Sequence, residues 1–186
     1  MDFRILGPLL VQVDGERVQL GPKLRAVLTV LLLRANHTVP ATALQAILRS
    51  TGRSPTRATV RSHIHHLRRV LEPARPGTAA PAMLVTSETG YLLRVQPEQL
   101  DTVRFQRLVQ NGRRALDADD PVTAAEQLHT ALELWRGPIP DDVADSPFVQ
   151  DEIARLEGLR LTAREARIQA DLQLGRHAEL LPELEL

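Results

Sequence analysis

The chain has no cysteine. That excludes disulfides, thiolate metal sites and cysteine nucleophiles. Aromatic residues are nearly as scarce, with 3 Phe, 1 Tyr and 1 Trp. A core must therefore come from Leu, Val, Ile and Ala packing. No apolar run approaches the roughly 18 residues of a membrane-spanning helix. The opening residues Met1 to Leu10 lack the basic-then-apolar order of a signal peptide. These absences fit a cytoplasmic protein with no membrane partner. Acidic residues are also missing locally. None occurs from Gln45 to Leu71, a stretch that holds Arg49, Arg53, Arg57, Arg61, Arg68 and Arg69.

What is present divides in two. The 186 residues carry no formal net charge. Residues 1–97 nevertheless hold 13 Lys and Arg against 5 Asp and Glu, while residues 98–186 hold 10 against 18. Such asymmetry implies two domains, 1–97 and 98–186, the first facing a polyanion.

In the first domain, Phe3 to Leu20 reads as short strands, with Asp14-Gly15 as a hairpin turn. Gly21-Pro22 opens a helix, with Leu24, Val27, Leu28, Leu31 and Leu32 at helical spacing. His37-Thr38-Val39 reads as an extended connector, and Ala41 to Ser50 as a second helix. Ser54-Pro55 reads as the cap and first position of a third helix. On it, Val60, Ile64, Leu67 and Leu71 form one narrow apolar face. Glu72-Pro73 stops that helix. After a Pro- and Ala-rich loop, Met83–Thr86 and Tyr91–Val95 read as a hairpin around Ser87 to Gly90.

Beyond Gln96-Pro97 the pattern is helical. Phe105, Leu108, Val109, Gly112 and Leu116 form one stripe; Ala124, Leu128, Ala131, Leu132 and Trp135 form the next, after an Asp120-Pro121 start. Trp135 is expected to pack in a core rather than stack on a ligand. A long helix runs from Ser146-Pro147 to about Leu174, with a second apolar face at Leu161, Ile168 and Leu172. Leu116, Asp119, Ala124 and Leu128 recur 56 residues later as Leu172, Gly175, Leu180 and Leu184. This is the grammar of helical-hairpin repeats. Leu180, Leu181, Leu184 and Leu186 lack a following helix, so a longer parent protein is expected.

An apolar stripe backed by arginines suits a helix seated in a DNA major groove, where arginine binds phosphates and guanine edges. The expected fold is α+β, a winged helix-turn-helix followed by an all-α, tetratricopeptide-like domain. Several segments together resemble the Streptomyces antibiotic regulatory protein family, which joins an OmpR-like winged helix to a bacterial transcriptional activator domain. They are Phe3–Leu9, Gly21–Ala26, Leu67–Leu71, Gly90–Leu93, Phe105–Val109, Ala131–Pro138, Arg155–Leu161 and Leu174–Leu180.

The resemblance implies a transcriptional activator whose third helix reads promoter direct repeats as paired copies and which recruits RNA polymerase holoenzyme. The expected DNA contacts are Arg53, Arg57, Thr59, Arg61, Ser62, His65, His66 and Arg69, with Ser87, Thr89 and Arg94 from the hairpin. The turn before the helix (Arg49, Ser50, Thr51, Gly52, Arg53) is the expected polymerase contact. This chain departs from the family there and nearby. Arg49-Ser50 replaces Trp-Gly, Ala58-Thr59-Val60-Arg61 replaces Asn-Thr-Leu-Gln, and His63, His65 and His66 replace Tyr, Ser and Arg. A repressor, the output module of a larger signalling protein, and a helical protein-binding scaffold are the alternatives.

Other chemistry finds little support. His63 and His66 share a helix side, but no acid or cysteine stands near to complete a metal site. Asp141, Asp142 and Asp145 lack the EF-hand pattern and read as a solvated loop. No phosphate-cradling glycine loop, catalytic triad or carboxylate pair occurs. No enzyme activity, metal or cofactor is expected.

Overall fold

The structure, a computed structural model, describes residues 1–49, 55–73, 83–139, 143 and 146–177. The chain opens with an antiparallel sheet of β1 (Asp2–Arg4), β2 (Leu10–Val13) and β3 (Glu16–Arg17). Phe3 lies opposite Val11, and both are buried. Asp14 and Gly15 have φ of 52° and 85°. Two left-handed residues match the twist of a tight hairpin, which the Asp-Gly pair supplies cheaply.

Helix α1 (Pro22–Leu33) is buried at every residue from Ala26 to Leu33, so it runs through the interior. α2 (Ala41–Leu48) and α3 (Arg57–Leu71) follow. The second sheet has the order β4-β6-β5, from β4 (Thr38–Pro40), β5 (Leu84–Thr86) and β6 (Gly90–Leu93). The stretch expected to be a mere connector is thus a strand. Too short to show alternation, β4 is placed by its partner. Asn36, at φ 63°, donates its amide N–H to the Leu93 carbonyl at 2.9 Å. Its side chain donates to the Val95 carbonyl and accepts from the Val95 N–H, at 2.9 and 3.0 Å.

The second half has a 3-10 turn (Pro97–Gln99), then α4 (Asp101–Asp117), α5 (Pro121–Glu133) and the long α6 (Pro147–Gln173). Asp120 caps α5 by accepting the Thr123 N–H at 3.1 Å. Bonding to Thr123 holds this carboxyl below the usual carboxylate range. The 56-residue repeat is visible in the backbone. Asp119 and Gly175 are both left-handed, with φ of 57° and 75°. The N–H groups of Asp119 and Asp120 bond to Leu116 and Ala115; those of Gly175 and Arg176 bond to Leu172 and Asp171. Both helices end in the same carbonyl-satisfying turn. Leu180, Leu181, Leu184 and Leu186 lie outside the described residues, as do Asp141, Asp142 and Asp145. The second face of α6 stands open among the described residues, with Leu161 59% and Leu172 46% exposed.

One hydrophobic cluster contains residues of both halves. Polar groups lock the junction. Phe3 bridges to Leu100 beside β1. Asp101, buried at the start of α4, accepts the N–H of Ile5 at 2.9 Å and of Leu6 at 3.0 Å. Burial pushes its carboxyl above the ordinary carboxylate value, against the pull of those N–H groups and of Arg136 and Arg104. Arg136 donates its backbone N–H to Leu6 and its guanidinium to the carbonyls of Pro8 and Arg4. Trp135 packs as expected, its ring edge-on to Phe105 at 5.7 Å, with the Arg160 guanidinium over it at 4.5 Å.

Candidate nucleic-acid interface

The third helix starts later than Ser54-Pro55 suggests. Its N-cap is Thr56, whose hydroxyl accepts the Thr59 N–H at 3.2 Å while Thr59 Oγ1 accepts the Thr56 N–H at 3.3 Å. This reciprocal cap outcompetes a proline start. Pro55 instead offers its carbonyl to the Gln45 side chain at 3.1 Å, tying α2 to the entry of α3. Ser54 lies outside the described residues.

Val60, Ile64 and Leu67 are fully buried, and Leu71 is 2% exposed. At 100° per residue, Ala58, Ser62, His65 and Arg69 fall on the opposite side; all four are exposed. Arg57, Arg61 and Arg68 share a flank that faces the β5–β6 hairpin. Arg68 is not a free cation: Nε donates to the Leu84 carbonyl at 2.9 Å and a terminal nitrogen to Thr86 Oγ1 at 2.7 Å. Glu72 closes the same seam by accepting the N–H groups of Met83 and Leu84 at 2.9 and 3.2 Å. The hairpin, a wing in the winged-helix sense, is thus bolted to α3.

The wing turn is equally fixed. Ser87 N–H donates to the Gly90 carbonyl at 2.9 Å, and Gly90 N–H to Ser87 Oγ at 3.2 Å. The Thr89 carbonyl accepts the Ala41 N–H at the start of α2, at 3.1 Å. Gly90 has no room for a side chain, since an added Cβ would lie 1.9 Å from the Val39 carbonyl oxygen. Between α2, α3 and the turn lies a cleft of about 400 Å³, lined in part by Thr42, Arg57, Arg61, Ser87, Glu88 and Thr89.

The structure therefore brings Arg57, Arg61, Ser87 and Thr89 together, with Ser62, His65, His66 and Arg69 exposed around the helix. Thr59 is half-buried and its hydroxyl is engaged in the cap. Arg94 is exposed but stands at the opposite end of β6 from the turn, where its backbone N–H meets Met83. Arg49 is exposed at the end of α2. Ser50, Thr51, Gly52 and Arg53 lie outside the described residues. His63 turns back on its own helix, its Nδ1 2.8 Å from the Thr59 carbonyl. No group of three or more metal-ligating side chains occurs among the described residues. Sequence reading missed the tethering role of Arg68; its position seven residues after Arg61, on the flank facing the hairpin, was the available signal.

Residues 15–93 match the family described as "Transcriptional regulatory protein, C terminal", and residues 100–186 match "Bacterial transcriptional activator domain". Regulatory protein DnrI of Streptomyces peucetius is 38% identical over 190 residues, spanning 99% of this chain and 70% of its own length. The chain belongs to the Streptomyces antibiotic regulatory protein family.

The solved structure "Mycobacterium tuberculosis EmbR in complex with low affinity phosphopeptide" superposes with a TM-score of 0.85 at 33% identity, covering 99% of this chain and 48% of that one. Regulatory protein AfsR of Streptomyces coelicolor is 36% identical over 185 residues, 18% of its length. The family is one of DNA-binding transcriptional regulators, not enzymes, and the winged helix is its DNA-binding part. Among the described residues, no helix is long and apolar enough to cross a membrane.

Proposed function

We propose that this family member is a cytoplasmic activator of a biosynthetic gene cluster. Paired copies bind promoter direct repeats, with residues 1–97 on DNA and the part from 98 onward serving activation. The observation that carries this reading is α3 itself. One face is fully anchored by Val60, Ile64 and Leu67, while Ser62, His65 and Arg69 stand exposed on the other. An anchored helix with a polar, cationic outer face can enter a major groove without disturbing its own core. Arg57, Arg61 and the wing turn supply phosphate contacts alongside it.

RNA polymerase holoenzyme is the proposed protein partner, met through Arg49 and the residues 50–53 that follow α2. The match to a bacterial transcriptional activator domain supports activation over repression. A second reading, the output module of a larger regulator, draws support from relatives of which this chain spans only 48% (EmbR) and 18% (AfsR).

The test is selection of bound genomic fragments by the purified chain, with affinities repeated across salt concentrations. Enriched fragments sharing a direct repeat, with log K falling steeply against log salt, support the reading. Weak, salt-insensitive binding without enrichment overturns it.

A further inference from the structure

Residues 98–186 carry 18 acidic side chains against 10 basic ones. Three of those ten stand together on one flank of α6. At 100° per residue, Arg160, Arg164 and Arg167 fall within about 60° of one another. They line a groove of about 300 Å³ between α6 and α5, whose other described lining residues are His129, Leu132 and Glu133. A second hollow of about 640 Å³ shares His129 and Arg167 with it. A cationic seam thus crosses an otherwise acidic half of the chain.

The cations of this seam are not equally engaged. Arg167 lies 3.2 Å from Asp171, and His129 lies 3.3 Å from Glu133. Arg160 reaches Glu157 only at 3.9 Å, and its guanidinium lies over the Trp135 ring at 4.5 Å. Arg160 Nε and Trp135 Nε1 are both buried without a hydrogen-bond acceptor. Arg164 is exposed, and no hydrogen bond or ion pair to it occurs among the described residues. The seam therefore offers donors and is short of acceptors. An arginine fork only donates, and it fits a carboxylate with two parallel bonds.

We propose that the α5–α6 groove docks an acidic, extended segment of a partner protein, with Arg160 and Arg164 as its anchors. The spacing suits such an occupant. Arg160 and Arg164 are separated by a rise of about 6 Å along the helix. Alternate side chains of an extended chain project from one face about 6.6 Å apart. A Glu-X-Glu segment therefore sets two carboxylates against the two arginines. A nucleic-acid duplex fits poorly, because its evenly spaced phosphates would pass over Glu133 and Glu157. A peptide can place neutral residues opposite those two. This surface is separate from α3, so the proposal does not depend on how DNA is bound.

Trp135 is the only tryptophan in the chain, and its contact with Arg160 makes its fluorescence a reporter of the groove. The experiment titrates the full chain, at low salt, with a Glu-Ala-Glu-Ala-Glu peptide, its Gln-for-Glu counterpart and inorganic phosphate. Calorimetry runs in parallel. The acidic peptide alone is expected to bind saturably and to change Trp135 emission. Arg164→Glu is expected to weaken that binding by roughly 5-fold or more, and Arg164→Gln to weaken it less. An Arg57→Ala/Arg61→Ala variant is expected to bind the peptide as the parent does. No saturable binding by the parent overturns the proposal, as does binding that survives Arg164→Glu or is lost in the α3 variant. Phosphate that binds as tightly as the peptide overturns it in favour of a small anion. A short duplex that displaces the peptide from the α3 variant overturns it in favour of nucleic acid. Circular dichroism on each variant separates these outcomes from misfolding.

Discussion

The carboxylate of Asp101 lies 2.9 Å from the backbone nitrogen of Ile5, ninety-six residues away in sequence. Its second oxygen takes the Leu6 N–H, so one buried side chain satisfies two consecutive backbone donors between β1 and the loop that follows. Removing it leaves those donors without partners where water does not reach. Each unpaired buried group costs about 1–3 kcal/mol. Asp101→Ala is therefore expected to lower the unfolding free energy by at least that much in urea melts. A loss within about 0.5 kcal/mol, the range of ordinary surface substitutions, would show that the clamp is not needed.

The same group makes a pH prediction. Burial raises the folded-state value of Asp101 above that of the unfolded chain. The folded state therefore holds this proton more tightly than the unfolded state. The proton-linked part of Asp101's contribution to stability is complete below about pH 3.9 and is lost as pH rises through the raised value, while its two accepted hydrogen bonds remain. Asp101→Asn cannot titrate. Its deficit relative to the parent is expected to narrow as pH rises through that window and to stay level above it. A widening deficit would mean that the backbone donors, Arg136 and Arg104 outweigh burial.

Arg68 links α3 and the β5–β6 hairpin through Leu84 and Thr86. Arg68→Ala is expected to speed amide exchange along β5 and β6 and to weaken DNA binding, without touching a base itself. Hydrogen bonds to charged groups are worth about 1.5–3 kcal/mol when buried, and less at this partly exposed seam. Arg68→Lys is expected to recover little, because an ammonium cannot reproduce the planar two-acceptor geometry. Unchanged exchange in both strands would remove Arg68 from this role.

Arg61 and His65 are both exposed on α3, on adjacent flanks. Replacing both with Ala is expected to cost roughly 1–3 kcal/mol of specific binding per lost base contact. Loss of a phosphate contact alone would lower affinity for every sequence and flatten the salt dependence. Loss of a base contact would relax sequence preference at one position. Affinity and preference both equal to the parent would exclude the pair from the interface.

Much of this architecture was legible in the sequence because periodicity reports burial directly. The stripe Val60, Ile64, Leu67, Leu71 is the buried face of α3, and the offset linking Asp119 to Gly175 reappears as two identical helix-ending turns. What could not be read depends on distant partners. β4 exists because Asn36 and β6 place it, and the cap moved to Thr56 because Thr59 reciprocates. In the interface, exposure of the arginines followed from their spacing. That Arg68 is spent on the wing while Arg61 lines an open cleft required the hairpin to be in place.

Two glycines on the helical half give opposite predictions. On α4, a Cβ added to Gly112 would lie 2.5 Å from Cγ of Leu128, which is fully buried on α5. On α6, a Cβ added to Gly158 would meet nothing within 4 Å. Alanine improves helix propensity at either site by about 1 kcal/mol. At Gly158 nothing opposes that gain, so Gly158→Ala is expected to raise the melting temperature. At Gly112 the gain competes with overpacking, which costs about 1–3 kcal/mol and forces Leu128 or the helix axis to shift. Gly112→Ala is therefore expected to be destabilising in the parent, and its penalty is expected to shrink in a Leu128→Ala background, where the contacting carbons are gone, although Leu128→Ala is itself destabilising. Equal shifts for the two glycine variants would mean that α4 and α5 are not in the close contact that sets the helical repeat.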